Sequence, residues 1–342
     1  MATVVASGPA RAAADRSAVW FAVAAVSLIA AACLLAGWAP LGFSIVTVFL
    51  FAGPHNWLEA RYMLTRMPAR WGPLTGYFVT GIAGVLLLTA AISLLPWTYD
   101  RLNLGPESWP ALLSLWNTLL IGWVLALVLL RSRQNPRRNW SWTIPVAFVL
   151  VALAWLWPAG WGLGLVYLHP LIALWFLDRE IGRMRREWQV AYRACLLLVP
   201  VALAALWWNL AGSPHLPGED LFSRQLTGRI AQHAGEGIVS GVSSHFLIAA
   251  HTFLEMLHYG VWIVAIPLVS VRMMPWRLDN VPLARRSPLW RGAILAAIGL
   301  GVIVMLGLWG AFLADYPLTR DIYFTVAMLH VLAEAPFLLR LL

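Results

Sequence analysis

The sequence predicts an all-α, polytopic integral membrane protein of about ten transmembrane helices, and three observations predict it. Of 342 residues, 61% are hydrophobic and only 11% are charged, whereas soluble domains stand nearer half and a quarter. So few charges cannot cover a water-facing surface. A chain dissolved in lipid must satisfy its backbone internally, as helices do. Apolar runs of about 20 residues, the length that crosses ~30 Å of hydrocarbon, recur from one end of the chain to the other. Finally, the arginines collect in alternate connections between those runs, the charge bias that marks membrane topology.

Taken in order, run 17–37 follows Arg11 and Arg16. It lacks the small-residue cleavage site of a signal peptide, so it is kept as a helix. Run 41–62 leads into Arg61, Arg66 and Arg70, and run 74–95 into an opposite connection that holds only Arg101. Run 110–130 ends at Arg131, Arg133, Arg137 and Arg138. Runs 141–158 and 162–178 follow, and the second ends at Arg179, Arg183, Arg185, Arg186 and Arg193. Run 190–212 opens into a polar connection at about 213–237, with Arg224 and Arg229, read as a short outer cap. Run 238–271 ends at Arg272, Arg277, Arg285, Arg286 and Arg291. Run 292–315 leads to Arg320, and run 321–342 closes the chain with Arg340. With the N-terminus inside, twenty arginines fall on the cytoplasmic side and four outside. This alternation puts both termini in the cytoplasm of a multi-pass protein in an inner (plasma) membrane.

No soluble domain is left over, so residues 1–342 read as a single transmembrane domain. The net charge of +9 then reports orientation in the bilayer, and nucleic acid is not a partner. Every basic residue is Arg, and the absence of Lys excludes a retinal Schiff base, a pyridoxal-phosphate lysine and a Walker-type lysine. Cys33 and Cys195 both lie in apolar runs and form no metal-ligand pattern. No internal repeat of the kind common in transporters is visible.

Titratable groups inside a bilayer are costly and are functional candidates by default. Of the fifteen acids, the three well inside spans are Glu59, Glu255 and Glu334. Each follows a histidine by four residues, in His55–Glu59, His251–Glu255 and His330–Glu334, a spacing that places both on one helix face. His258 extends the middle pair to His-x-x-x-Glu-x-x-His, its three members within about 60° of one another on the wheel. His169 is a further intramembrane histidine, and His245 lies nearer the outer end. His215 and His233 fall in the polar outer connection and read as solvated. All four helices that carry these groups run in one direction, and counting about 1.5 Å per residue brings their imidazoles toward one layer near the membrane middle. Proline adjoins two of them, in Pro54-His55 and His169-Pro170, and a proline kink opens space beside a ligand.

Several readings fit this pattern. In one, His55, His169, His251, His258 and His330 bind one or two metal ions, and Glu59, Glu255 and Glu334 orient them or carry protons. Imidazole with few carboxylates suits Fe, Cu or Zn. In another, each His–Glu pair is a structural couple that locks helices together. A third makes the same residues a proton- or metal-coupled transport path, and a fourth makes the chain a haem- or pigment-binding subunit of a larger membrane complex. The 21 Trp, several of them mid-span such as Trp57, Trp116, Trp123 and Trp155, read either as packing bulk or as the lining of a pocket for a long apolar ligand.

The segment Pro54-His55-Asn56-Trp57-Leu58-Glu59-Ala60 resembles the Pro-His-x-x-Leu-Asp-Ala patch of the Brp/Blh membrane β-carotene 15,15′-dioxygenases. His330-x-x-x-Glu334 is similar to that family's late His-x-x-x-Asp segment. His251…His258-Tyr259 is similar to its paired-histidine patch, and His169 to its remaining histidine. The similarity covers short patches, with Glu where the family has Asp and six residues between the paired histidines where the family has three. It implies a polytopic enzyme with non-haem Fe(2+) held by histidines that cleaves β-carotene to two retinals. The expectation is therefore a membrane metal-dependent oxygenase or oxidoreductase acting on a lipophilic small molecule, with carotenoid cleavage as its most concrete form.

Overall fold

Every regular element among the described residues is helical. The computed structural model describes residues 8–134, 139–216, 226–270 and 277–340. Arg137, Arg138, Arg224, Arg272 and part of the 213–237 cap lie outside them. The helices are α1 (Gly8–Trp38), α2 (Pro40–Arg66), α3 (Thr75–Arg101), α4 (Ser108–Gln134), α5 (Thr143–Leu156), α6 (Pro158–Met184) and α7 (Gln189–Leu196). They continue as α8 (Leu198–Leu210), α9 (Leu226–His233), α10 (Ser244–Gly260), α11 (Ile266–Val269), α12 (Pro288–Ala314) and α13 (Tyr316–Leu339). Nine segments of the described residues are long and apolar enough to cross a membrane, and the chain is an all-α, multi-pass membrane protein.

The fifth run, expected at 141–158, is the 14-residue helix α5. At 1.5 Å per residue it is about 21 Å long, short of a ~30 Å hydrocarbon core. Its ends explain the shortfall. Trp140 and Ser141 are spent in a turn whose carbonyls accept from Thr143 and Ile144. At the other end Trp157 leaves the helical region (φ −146°, ψ 72°), since the α conformation is disfavoured before a proline, and Pro158 opens α6.

Proline also divides two other spans. Pro200 cannot donate to the carbonyl of Leu196, and α7 gives way to α8 at Leu197. Pro267 cannot donate to Ile263, and the ladder after α10 widens into a π turn at Val261–Ala265 before the short α11. The run expected from 238 begins as a helix only at Ser244, because Ser243 caps it, its hydroxyl accepting from the His245 amide at 3.2 Å. Ser287 and Asp315 cap α12 and α13 in the same way, each followed by a proline in the first turn.

The chain groups into two compact units, Met1–His55 with Tyr167–Met274, and Asn56–Val166 with Pro275–Leu342. In the first unit α1, α8 and α10 pack together. Ala32, Ala36, Ala202 and Ala249 let their backbones approach, and Phe253, Leu254 and Leu257 fill the seam. In the second unit α3, α4 and α13 pack around Tyr77, Phe78, Leu88, Trp116, Trp123 and Leu127. Here the mid-span tryptophans also act as donors. Trp116 and Trp123 each give their indole N–H to a carbonyl of α3, Leu88 and Thr80, both at 2.9 Å. Trp57 gives its own to Ile298 of α12 at 3.0 Å. The Trp123 ring lies where a Cβ on Gly84 would stand, at 1.9 Å from its Nε1, so this approach requires glycine.

Candidate metal centre

In the first unit three histidines from three helices meet. His55 arrives at the end of the α2 segment belonging to this unit, one residue after Pro54, and is 1% exposed. His258 lies near the C-terminal end of α10, just before the π turn, and is 2% exposed. His169 sits on α6, before Pro170, and is half-buried. The His258 ring lies 4.5 Å from that of His169 and 5.4 Å from that of His55, centroid to centroid. A ligand nitrogen of His258 is within 4.8 Å of one on His55 and of one on His169. Metal–nitrogen bonds of about 2.0–2.1 Å would hold such nitrogens about 3.3 Å apart, a closure within the reach of side-chain rotation.

The surroundings fix how these rings present themselves. His55 Nδ1 lies 2.9 Å from the Phe51 carbonyl one turn back. A carbonyl only accepts, so that nitrogen carries the proton and Nε2 is the one with a lone pair to offer. The Tyr259 ring rests on His55 at 4.4 Å, and its hydroxyl donates to Glu255 at 2.7 Å. The carboxylate near this cluster is thus held by a tyrosine.

The other expected pairs are arranged differently. His251 Nδ1 stands 4.0 Å from Glu255 Oε2, and its ring lies against Tyr167 at 5.8 Å and against His233 at 5.0 Å. His233, expected to be solvated, ends the short helix α9 and is half-buried. The apolar side of α9, with Leu226 and Ile230, packs on α10 and carries it there. His215 is exposed, with Glu236 at 3.3 Å, as a loop histidine should be. His245 Nδ1 donates to the Pro214 carbonyl at 2.8 Å.

The second unit gathers Glu59, His330 and Glu334. Glu59 is 0% and Glu334 4% exposed, their carboxyl groups lie close enough to interact, and His330 offers a nitrogen within 4.8 Å of Glu59. Two carboxyl groups in contact away from water are sustained by a shared proton or by a cation.

Sequence reasoning passed over three participants. Tyr259 stands beside His258 and four residues after Glu255, a helical spacing that could have marked it. Tyr167 joins elements through its hydroxyl, which donates to the carbonyls of Ala234 and Leu247 at 2.9 and 3.2 Å. Glu180, which lies beyond the expected run 162–178, is 0% exposed and pairs with Arg183 at 3.3 Å. No protein-family model, curated protein or solved structure matches the chain.

Proposed function

We propose that the protein is a metal-dependent membrane oxidoreductase, an Fe(2+)-dependent oxygenase that acts on a lipophilic substrate and whose most concrete form is carotenoid cleavage. The observation that carries this reading is the meeting of His55, His169 and His258, three neutral nitrogen donors from three helices in an apolar interior. Such a donor set suits iron, copper or zinc and not the hard ions that prefer oxygen. The resemblance of the His55 and His330 segments to the Brp/Blh enzymes favours iron among these metals and an isoprenoid chain as substrate.

In this reading His55, His169 and His258 hold the metal, and the Phe51 carbonyl keeps the His55 ring in the tautomer that ligates. Bound iron would supply the activation of dioxygen. Tyr259 packs the His55 ring in place and anchors Glu255, which can accept or return a proton through the tyrosine hydroxyl. The burial of His55 and His258 would keep water from the metal, and a lipid-soluble substrate would enter from the bilayer. The arginine-rich helix ends support a plasma-membrane location with that side in the cytoplasm.

A specific observation favours a second reading. The Glu59–Glu334 contact, with His330 beside Glu59, is also what a proton or metal-ion path would use. Elemental analysis of the detergent-purified protein separates the two. Tightly held iron at about one or two ions per chain, absent from His258→Ala, supports the oxygenase. Wild-type protein with no stoichiometric metal sinks it, and weak, exchangeable, pH-dependent binding turns the reading toward transport.

A further inference from the structure

The second unit brings three arginines together where three of its helices end. Arg66 is the last residue of α2, Arg131 lies in the last turn of α4, and Arg340 directly follows α13. Arg340 Nη1 donates to the Arg66 carbonyl at 2.9 Å, and its guanidinium lies over the Phe78 ring at 5.3 Å. The Arg66 Nε donates to the Tyr62 hydroxyl at 2.7 Å, with the guanidinium 5.0 Å from the Tyr62 ring. Arg131 makes no hydrogen bond among the described residues; it follows Leu130, which packs in the same apolar cluster as Phe78 and Leu339, and it stands near enough to Arg340 to repel it. Burial, and then the charges of Arg131 and Arg66, pull Arg340 below the usual range, while Tyr77 pulls the other way.

A cation at a helix C-terminus is ordinary, since it answers the dipole of its own helix. That does not account for this arrangement. Arg340 reaches across to the carbonyl of α2, and two of the three like charges lie on neutral aromatic faces. No acid occurs in residues 60–74, 131–139 or 335–342. A guanidinium has five N–H donors in a planar fork matched to phosphate, and the described hydrogen bonding of Arg340 uses one of them. The cluster also sits where apolar spans finish, at the depth of lipid headgroups.

We propose that Arg66, Arg131 and Arg340 form a binding site for a phosphate group, the phosphodiester of an anionic membrane lipid or free inorganic phosphate. Arginine pairs bidentately with phosphate oxygens, and the juxtamembrane position favours anionic lipid.

The test uses the full-length protein in nanodiscs of phosphatidylcholine, with and without phosphatidylglycerol, and compares thermal unfolding of wild type, Arg131→Gln and Arg131→Gln/Arg340→Gln. Arg133→Gln, which removes one exposed charge two residues away, is the control. Phosphatidylglycerol is expected to raise the wild-type Tm by several degrees and the Arg131→Gln Tm by less than half as much, with Arg133→Gln behaving as wild type. If inorganic phosphate in pure phosphatidylcholine gives the same arginine-dependent rise, the site stands and its occupant is free phosphate. The proposal is overturned if neither ligand distinguishes Arg131→Gln from wild type, or if Arg133→Gln loses as much. Should the double variant not fold, Arg131→Gln alone decides, because that side chain holds no described hydrogen bond.

Discussion

The imidazoles of His169 and His258 come from α6 and α10 and meet with their centroids 4.5 Å apart. Two such rings bring lone pairs or N–H groups toward each other inside an apolar interior, and a metal ion between them satisfies both. His258 also faces His55, so it is the ring common to both contacts. Replacing it should cost more than replacing either neighbour. His258→Ala is expected to lower bound metal from about one ion per chain to a tenth or less, and His169→Ala or His55→Ala to weaken it by about 10–100-fold. Equilibrium dialysis against Fe(2+) and Zn(2+), read by elemental analysis, checks the order.

Acid should release that metal. An imidazole binds a metal only when neutral, so protons compete directly and affinity falls as pH falls. The sign is fixed by this competition. Metal retained at about pH 7.5 is expected to be lost progressively toward about pH 5, and to return when the pH is restored. Retention that does not vary over this range would count against histidine ligation.

How much of this was legible in the sequence differs by level. The spans were visible because each needs about 20 apolar residues and because arginines mark their ends. The difference at α5 is local: hydropathy alone does not register that a turn at Trp140–Ser141 and the proline at 158 shorten that helix to 14 residues. His55, Glu59, His258 and Glu334 were visible as polar groups where lipid forbids them, but their pairing was not. The i,i+4 rule pairs His55 with Glu59 along one helix. In the structure His55 Nδ1 answers the Phe51 carbonyl, and Glu59 lies beside Glu334 of α13. That choice depends on how separate helices pack, which no local spacing encodes. His233 shows the same limit, since its burial comes from the docking of α9 on α10.

The Glu59–Glu334 contact makes its own prediction. An amide can donate where a carboxylate cannot, so Glu59→Gln supplies Glu334 with a hydrogen bond that needs no proton or cation. The variant should fold with a Tm within about 2–3 °C of wild type or above it. Glu59→Leu, which leaves Glu334 buried without that partner, should be destabilised by about 1–3 kcal/mol. Thermal unfolding in one detergent compares the three proteins, and equal losses for Gln and Leu would contradict the shared-proton arrangement.

The α3–α4 seam gives the clearest packing prediction. A Cβ on Gly84 would fall 1.9 Å from Trp123 Nε1, so Gly84→Ala must push the indole out of its place. The displaced ring loses its hydrogen bond to the Thr80 carbonyl, worth about 0.6 kcal/mol between helices in lipid, and strains a filled seam at a cost of about 1–3 kcal/mol. Trp123→Phe removes only the donor and keeps most of the bulk, so it should cost well under half as much. Paired with Gly84→Ala, the smaller ring should also recover part of the lost stability, because the two substitutions act on one contact and are not additive. Unfolding of the two single variants and the double variant measures this coupling, and strict additivity would show that the indole is free to move aside.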